Sequence, residues 1–331
     1  MTHDLRLLTF DRYETYLRPL ARRGHQWDVA VAEHRLRLEP WQAQRLYSDR
    51  ARMISPADAR KRLARGDYDA VICHGPQDLA AVADTTVPAI VVFHGTRELE
   101  VACGLDWRAF RRRFDTALER ARRVFINRAV RKSWQLTGDD IAPAIDTDGF
   151  APYEGDLPAV LTVGDFDAAR ALLSGGAPLE QVLAGLRVTL AGINPPATLD
   201  RVPADVLREA YRRHAVFAHI TRAPFDTGCP MAIGQAMAAG MPIVTVAGPA
   251  TPVVDGISGL VAETASGVRE RCLRLLEERD FARTLGANAR IAAAEAFGPA
   301  RFLDRWDTVL RSLLRHDAHD AARTEVHAAS R

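Results

Sequence analysis

Hydrophobic and polar positions follow two alternating patterns along this chain. Short apolar runs rich in β-branched residues, such as Ala70–His74 and Ala89–His94, are separated by longer segments with apolar positions at helical spacing, such as Trp107–Arg122. A short apolar run is typical of a strand buried on both faces, and a longer periodic segment is typical of a helix packed on one face. The alternation therefore predicts an α/β fold of parallel sheets with helices on both sides.

The alternation is interrupted once and then resumes. Gly138–Pro158 carries prolines and glycines with little periodicity, which predicts a hinge. A chain of 331 residues is long enough for two domains of about 150 residues each. We therefore predict an N-terminal α/β domain over residues 1–150, a C-terminal one over 151–300, a terminal helix over 301–315 and a flexible tail over 316–331.

Charge and composition exclude several classes of protein. Lys and Arg total 44 and Asp and Glu total 42, so nothing in the net charge favours nucleic acid as a partner. Four cysteines lie far apart without metal-ligand spacing, and no metal site is predicted. The sequence has neither an apolar leader nor a run approaching the roughly 18 apolar residues of a membrane helix, so we expect a cytoplasmic protein. Its basic residues are almost all Arg, which indicates GC-rich coding and a bacterial source.

The most informative stretch begins at the predicted strand Val216–Ile220. A loop follows, Pro230 begins a helix and Gly240 ends it. Gly228 allows a ligand to approach the backbone closely, and the free N–H groups of the first helical turn favour an anion. Ligands bind at this end of a strand in open α/β sheets. The pattern predicts a diphosphate site, although an ordinary strand–loop–helix unit shares it.

This stretch also carries a family resemblance. Residues 226–244 read DTGCPMAIGQAMAAGMPIV and residues 252–261 read PVVDGISGLV. Both segments resemble the donor-site signature of the family 4 glycosyltransferases of the GT-B type. The resemblance implies a GT-B fold, in which two Rossmann-like doubly wound domains face each other across a cleft and a C-terminal helix crosses back to the first domain. It further implies that Gln235 faces the ribose and that the donor phosphates are held by Gly228, Cys229, Pro230 and Met231.

Two acidic positions of the family signature are replaced in this chain. Gln235 stands at the second Glu, and its amide can still form hydrogen bonds with ribose hydroxyl groups. Thr227 stands at the first Glu and cannot supply a charge beside the donor sugar. Asp226, one residue earlier, can serve if the loop shifts by one position. We expect Asp226 and Thr227, together with His94, at the catalytic centre.

Other segments agree with the family in order and spacing. The resemblance of Leu161–Gly164 to the first strand of the family's C-terminal domain implies that Gly164 and Arg170 contact the diphosphate, to which a guanidinium binds bidentately. His94 resembles the His that borders the transferred sugar, although a His at a strand end is also an ordinary hydrogen-bonded loop residue. The Gly-rich loop of the family's first strand is absent, and Thr9–Glu14 stands in its place.

The resemblance implies transfer of a sugar from a nucleotide-diphosphate sugar, UDP- or GDP-linked, to an unidentified small molecule, glycan or protein. No cofactor and no metal are expected, because Arg170 and the helix N-terminus can offset the charge of the leaving group. If the enzyme inverts, Glu98 and Asp11 are candidate bases. A non-catalytic partner subunit and a sugar-nucleotide epimerase stay open as alternatives, as does a peripheral membrane or homo-oligomer contact.

Overall fold

The chain folds into two α/β units joined by a linking segment. The computed structural model describes residues 4–11, 13–31, 49–165, 182–193, 203–221, 224–225, 231–249 and 251–313. The predicted tail over 316–331 lies outside these residues.

The N-terminal unit is built on a parallel sheet. Its described strands lie in the order β3-β2-β1-β4-β5-β6-β7, and each adjacent pair is parallel. The direction of winding reverses between β1 and β4, as it does in Rossmann-like folds. The strands are β1 (Arg6–Phe10), β2 (Gln26–Ala30), β3 (Ala51–Ile54), β4 (Ala70–Cys73), β5 (Ala89–Phe93), β6 (Arg122–Phe125) and β7 (Asp139–Asp140).

The C-terminal unit repeats this architecture on a smaller scale. Its described strands lie in the order β12-β11-β10-β8-β9, again all parallel. The two sheets confirm the predicted α/β class with two doubly wound units. The strands are β8 (Leu157–Asp165), β9 (Val188–Ile193), β10 (His214–His219), β11 (Ile243–Val246) and β12 (Leu260–Ala262).

Helices connect the strands and cover the sheets. None of the described helices is long and apolar enough to cross a membrane. The described helices are α1 (Glu14–Ala21), α2 (Pro56–Arg65), α3 (Pro76–Val82), α4 (Arg97–Ala102), α5 (Trp107–Arg120), α6 (Arg128–Trp134), α7 (Ala204–Arg213), α8 (Met231–Ala239), α9 (Ala265–Glu277), α10 (Arg279–Phe297) and α11, described over residues 299–313.

Helix α11 returns to the N-terminal unit, as predicted for the crossover helix. Trp306 is fully buried there, and its indole N–H donates a hydrogen bond to the Tyr16 hydroxyl oxygen at 3.3 Å. The apolar side of α11 belongs to the same hydrophobic core as strands β1 to β6, so the chain ends its described part on the first unit. The core residues of α11 are Phe302, Trp306, Val309, Leu310 and Leu313.

The linking segment between β7 and β8 packs against the C-terminal unit. The backbone N–H of Ile145 donates to the Phe297 carbonyl at 2.8 Å, and the Arg290 guanidinium donates to the Thr147 carbonyl at 2.8 Å. Ile145 also lies against α8 at Gly234, where an added Cβ would overlap the end of the Ile145 side chain. The segment is therefore anchored to α8 and α10, and its start, predicted as part of the hinge at Gly138, includes the short strand β7.

Candidate functional site

The carboxyl ends of β5 and β10 face each other where the two units meet. The Thr96 hydroxyl, in the loop after β5, donates a hydrogen bond to the Pro224 carbonyl, in the loop after β10, at 3.0 Å. Thr96 is buried by this contact. Ligands of open parallel sheets bind beyond the carboxyl ends of strands, so this junction is the candidate site and both units can contribute residues to it.

Helix α8 lies on the C-terminal side of this junction. Met231 is its first residue and Gln235 follows one turn later, both half-buried, and Gly164 lies near the end of β8. The roles of these three residues stay predictions. The remaining predicted residues of this side lie outside the described part of the chain: Arg170, Asp226, Thr227, Gly228, Cys229 and Pro230.

The side chain of Gln235 is held from behind by Tyr211. The Tyr211 hydroxyl lies 3.3 Å from both the Gln235 Oε1 and the Ala232 carbonyl, and these two acceptors share its single proton. Tyr211 is fully buried, and this burial raises the pKa of its phenol, which therefore stays a donor. With Oε1 engaged, the amide NH2 is the group that Gln235 offers to a ligand.

His219 is a candidate site residue that the sequence analysis does not single out. It ends β10, directly ahead of the loop that leads to α8. Its Nε2 is buried, and within the described residues this atom has no hydrogen-bond partner. Burial lowers the pKa of His219 to about 4, so the imidazole is neutral at neutral pH. An unpaired ring nitrogen at this position can bind a polar ligand group, and only its place at the end of a strand could have indicated it.

On the N-terminal side, the predicted catalytic His94 belongs to a chain of hydrogen bonds. His94 Nε2 lies 2.9 Å from His74 Nδ1, and His74 Nε2 lies 3.2 Å from the Thr9 hydroxyl oxygen. The Thr9 hydroxyl donates to the Ile72 carbonyl at 3.0 Å. Thr9 and His74 lie beside His94 because β1 pairs with β4 and β4 pairs with β5.

This chain fixes the ring tautomers when both imidazoles are neutral. Because Thr9 uses its only proton on the Ile72 carbonyl, it accepts from Nε2–H of His74. His74 Nδ1 then accepts from Nε2–H of His94. Nδ1 of His94 therefore carries no proton and can accept a hydrogen bond. Burial, together with repulsion from His74 whenever that imidazole is protonated, holds the pKa of His94 well below its ordinary value. His94 is therefore suited to accept a hydrogen bond from a hydroxyl group.

Tyr13 covers one face of His94. The two rings are stacked with their centroids 3.7 Å apart and an interplanar angle of 11°. Tyr13 precedes α1 and is 45% exposed, so its ring extends to the surface beside the junction. Tyr16, one turn into α1, meets His94 edge-on at 4.9 Å. Aromatic contacts of this kind restrict the orientation of the imidazole.

Of the two candidate bases, Glu98 is already engaged. Its carboxylate lies 3.0 Å from the Arg97 guanidinium. Burial would raise the pKa of Glu98, but hydrogen bonds from its own backbone N–H, Ser133 and Arg97 outweigh that effect and lower the pKa. A lowered pKa makes a carboxylate a weaker base. Asp11, half-buried just after β1, stays a candidate.

Comparisons with known proteins bear on this geometry. Residues 156–278 match the model of a family described as glycosyl transferases group 1. No curated protein matches the chain by sequence. Among solved structures, the chain is similar to Alr3699/HepE of Anabaena in complex with UDP and glucose, with a TM-score of 0.71 and 15% identity over 93% of this chain and 100% of that one.

Two further structures have the same architecture. Sucrose-phosphate synthase from Thermosynechococcus elongatus superposes with a TM-score of 0.73 and 14% identity, over 94% of this chain and 100% of that one. AviGT4, a glycosyltransferase involved in avilamycin A biosynthesis, superposes with a TM-score of 0.61 and 14% identity, over 94% of this chain and 98% of that one. These structures confirm the GT-B fold, and the family match confirms the resemblance over the unit that contains α8. The roles of individual residues stay predictions.

Proposed function

We propose that this protein is a glycosyltransferase that moves a sugar from a UDP-linked donor to an acceptor without a metal ion. Residues 156–278 match the family described as glycosyl transferases group 1, and the GT-B fold of the chain supports the same activity. The observation that carries the proposal is the hydrogen bond between Thr96 and Pro224, which brings the carboxyl ends of β5 and β10 together. The first turn of α8 then lies on one side of the junction and His94 on the other.

The donor would be bound mainly by the C-terminal unit. The first turn of α8 offers backbone N–H groups to the diphosphate, and the helix dipole favours negative charge there. Gln235 would donate its amide N–H to the ribose, and Nε2 of His219 is an additional polar contact. Structures of HepE with UDP and with UDP-glucose support a uridine nucleotide, and a GDP-linked donor is the second candidate.

The N-terminal unit would orient the transferred sugar. Nδ1 of His94 accepts a hydrogen bond from a sugar hydroxyl, and the stack with Tyr13 holds the imidazole in place. Because the pKa of His94 is lowered, this residue stays neutral and acts by positioning rather than as a general acid. The leaving diphosphate would be stabilised by α8 and by Arg170, which removes the need for a metal.

The proposal is tested by calorimetry with UDP-, GDP- and TDP-sugars, followed by turnover assays with and without an acceptor panel and with EDTA. We expect saturable binding of the UDP-sugar and acceptor-dependent release of UDP that EDTA leaves unchanged. Donor conversion without any acceptor would instead indicate an epimerase. Tight binding without turnover on any acceptor would indicate a partner subunit, and absence of binding would contradict all three readings.

A further inference from the structure

A cavity lies where α10 ends and α11 begins. The cavity has a volume of about 240 Å³. One wall comes from the segments after β6 and β7, which contribute Arg128 and Ile141. The opposite wall comes from the junction of the two helices, which contributes Phe297, Gly298 and Arg301. Both units of the protein therefore form this cavity, at their second covalent connection.

The charged residues that line the cavity are mainly basic. Three arginines, Arg128, Arg301 and Arg305, line it against one carboxylate-bearing residue, Asp140. Arg131 donates to that carboxylate through two hydrogen bonds of 2.8 and 3.0 Å, so its charge is already compensated. The net charge facing the cavity is therefore positive, and an anion would be attracted to it.

All three of these arginines have unused hydrogen-bonding capacity. Arg305 is fixed by a hydrogen bond from its guanidinium to the Asp140 carbonyl, which leaves further N–H groups of the same fork available. Within the described residues, neither Arg128 nor Arg301 has a hydrogen-bond or ion-pair partner. Guanidinium groups bind phosphoryl groups through paired charge-assisted hydrogen bonds, which makes this trio suited to such a ligand.

The start of α11 adds to the positive potential. The helix begins at residue 299, directly after Gly298, and Arg301 lies in its first turn. The first N–H groups of a helix lack intrahelical partners, and the helix dipole places partial positive charge at this end. The helix terminus and the three arginines therefore both make the electrostatic potential in the cavity more positive.

The size of the cavity limits the ligand. Pockets that bury a drug-sized ligand have volumes of roughly 300–1,000 Å³, and this cavity is smaller than that range. Its volume suits a phosphoryl group with few additional atoms. The anion bound here would therefore be small.

This cavity is separate from the positions of His94 and α8. Phe302 lines the cavity and meets Tyr16 edge-on, with the ring centroids 5.2 Å apart. Tyr16 in turn meets His94 at 4.9 Å, so two aromatic rings stand between the cavity and the imidazole. The diphosphate site proposed above uses a different helix terminus, that of α8. We infer that Arg128, Arg301 and Arg305 form a second anion site, which binds a small phosphate-bearing ligand where the two units connect.

The site is tested by calorimetric titration of the full chain with inorganic phosphate. The test variant is Arg128→Ala combined with Arg301→Ala, because both side chains are exposed and their loss should not disturb folding. The matched control is Arg108→Ala combined with Arg112→Ala, which removes two exposed arginines of α5. Circular dichroism checks that all variants fold, and titration with UDP is run in parallel.

We expect the double variant to raise the Kd for phosphate by about tenfold or more, since each arginine contributes charge-assisted hydrogen bonds. The control variant should keep the wild-type Kd, and both variants should bind UDP as the wild type does. Absence of phosphate binding to the wild type, an unchanged Kd in the test variant, or an equal loss in the control would overturn the inference. Failure of UDP to bind the wild type would contradict the proposed function and leave this site unaffected.

Discussion

The ring of Tyr13 lies parallel to the ring of His94, with 3.7 Å between their centroids. Tyr13 holds this position with a left-handed backbone, at φ 54° and ψ 47°, a conformation that costs a side-chain-bearing residue free energy. It also precedes α1 without a side-chain cap for that helix. The contact with His94 thus coincides with local strain, in the segment where the resembling family has a Gly-rich loop.

The strain at Tyr13 predicts that a glycine at this position gives a more stable protein than an alanine. Tyr13→Gly and Tyr13→Ala both remove the stacked ring, but only Gly adopts the left-handed region without steric cost. We expect Tyr13→Gly to be about 1 kcal/mol more stable than Tyr13→Ala in urea denaturation. The control pair is Arg208→Gly and Arg208→Ala on the exposed face of α7, where Ala should be more stable by about 1 kcal/mol. The same order at both positions would contradict the account of Tyr13.

The hydrogen bond from Tyr211 to Gln235 predicts a graded loss of donor binding. Gln235→Ala removes the amide that we assign to the ribose, so the Kd for UDP should rise by roughly threefold to tenfold. Tyr211→Phe only releases the amide from its fixed orientation, so its effect should be smaller. Calorimetry measures both Kd values. A larger loss with Tyr211→Phe than with Gln235→Ala would argue against direct contact.

Helix α10 packs so closely against the end of α8 that there is no room for a side chain at Gly286. A Cβ at Gly286 would overlap the Gly240 carbonyl oxygen, which is backbone and cannot rotate away. We expect Gly286→Ala to lower the free energy of unfolding by about 1–3 kcal/mol, despite the higher helix propensity of Ala.

Gly267→Ala in α9 is the matched control for Gly286. An added Cβ there meets mainly the flexible end of Arg271, at 3.1 Å. This substitution should be neutral or slightly stabilising in the same denaturation experiment. Equal destabilisation by both substitutions would show that helix propensity or exposure, rather than the overlap with Gly240, determines the cost.

Local sequence signals mark the ends of some helices in this fold. Pro203 immediately precedes α7, and Gly240 follows α8 with φ 76°, where Gly is favoured. Strands β3 and β7 were not predicted, because their stabilising partners are distant in sequence. In β3, Arg52 pairs at 2.9 Å with the buried Asp28 of β2. No local pattern reveals such a pair.

Some features of the candidate site could likewise be predicted from the sequence, and others could not. His94 could be predicted, because a strand end and a family signature indicate it. Its hydrogen bond to His74 and its stack with Tyr13 could not, because they depend on the order of strands in the sheet and on a left-handed residue. His219 was missed because an apolar strand that ends in His carries no further mark in the sequence.

The lowered pKa of His219 predicts acid sensitivity. The unfolded chain binds a proton on this residue below about pH 6.5, whereas the folded protein does so only below about pH 4. The unfolded state therefore holds more protons between these values, and the free energy of unfolding should fall as the pH falls from 6.5 to 4. Below that window the contribution of His219 should stay constant.

The variant His219→Phe isolates this contribution. Carboxylates and the other histidines titrate in both proteins, so their effects cancel in the difference between wild type and variant. Urea denaturation across the pH range should show that the wild type loses more stability than the variant over the window given for His219. Parallel loss in the two proteins would contradict a neutral, buried imidazole at this position.

A crystal structure with bound UDP tests the central claim most directly. We predict that the diphosphate oxygens accept hydrogen bonds from backbone N–H groups in the first turn of α8, with the ribose within hydrogen-bonding distance of the Gln235 amide. A structure in which that turn is filled by a side chain of the protein itself, with UDP bound elsewhere or not at all, would contradict the account of sugar transfer.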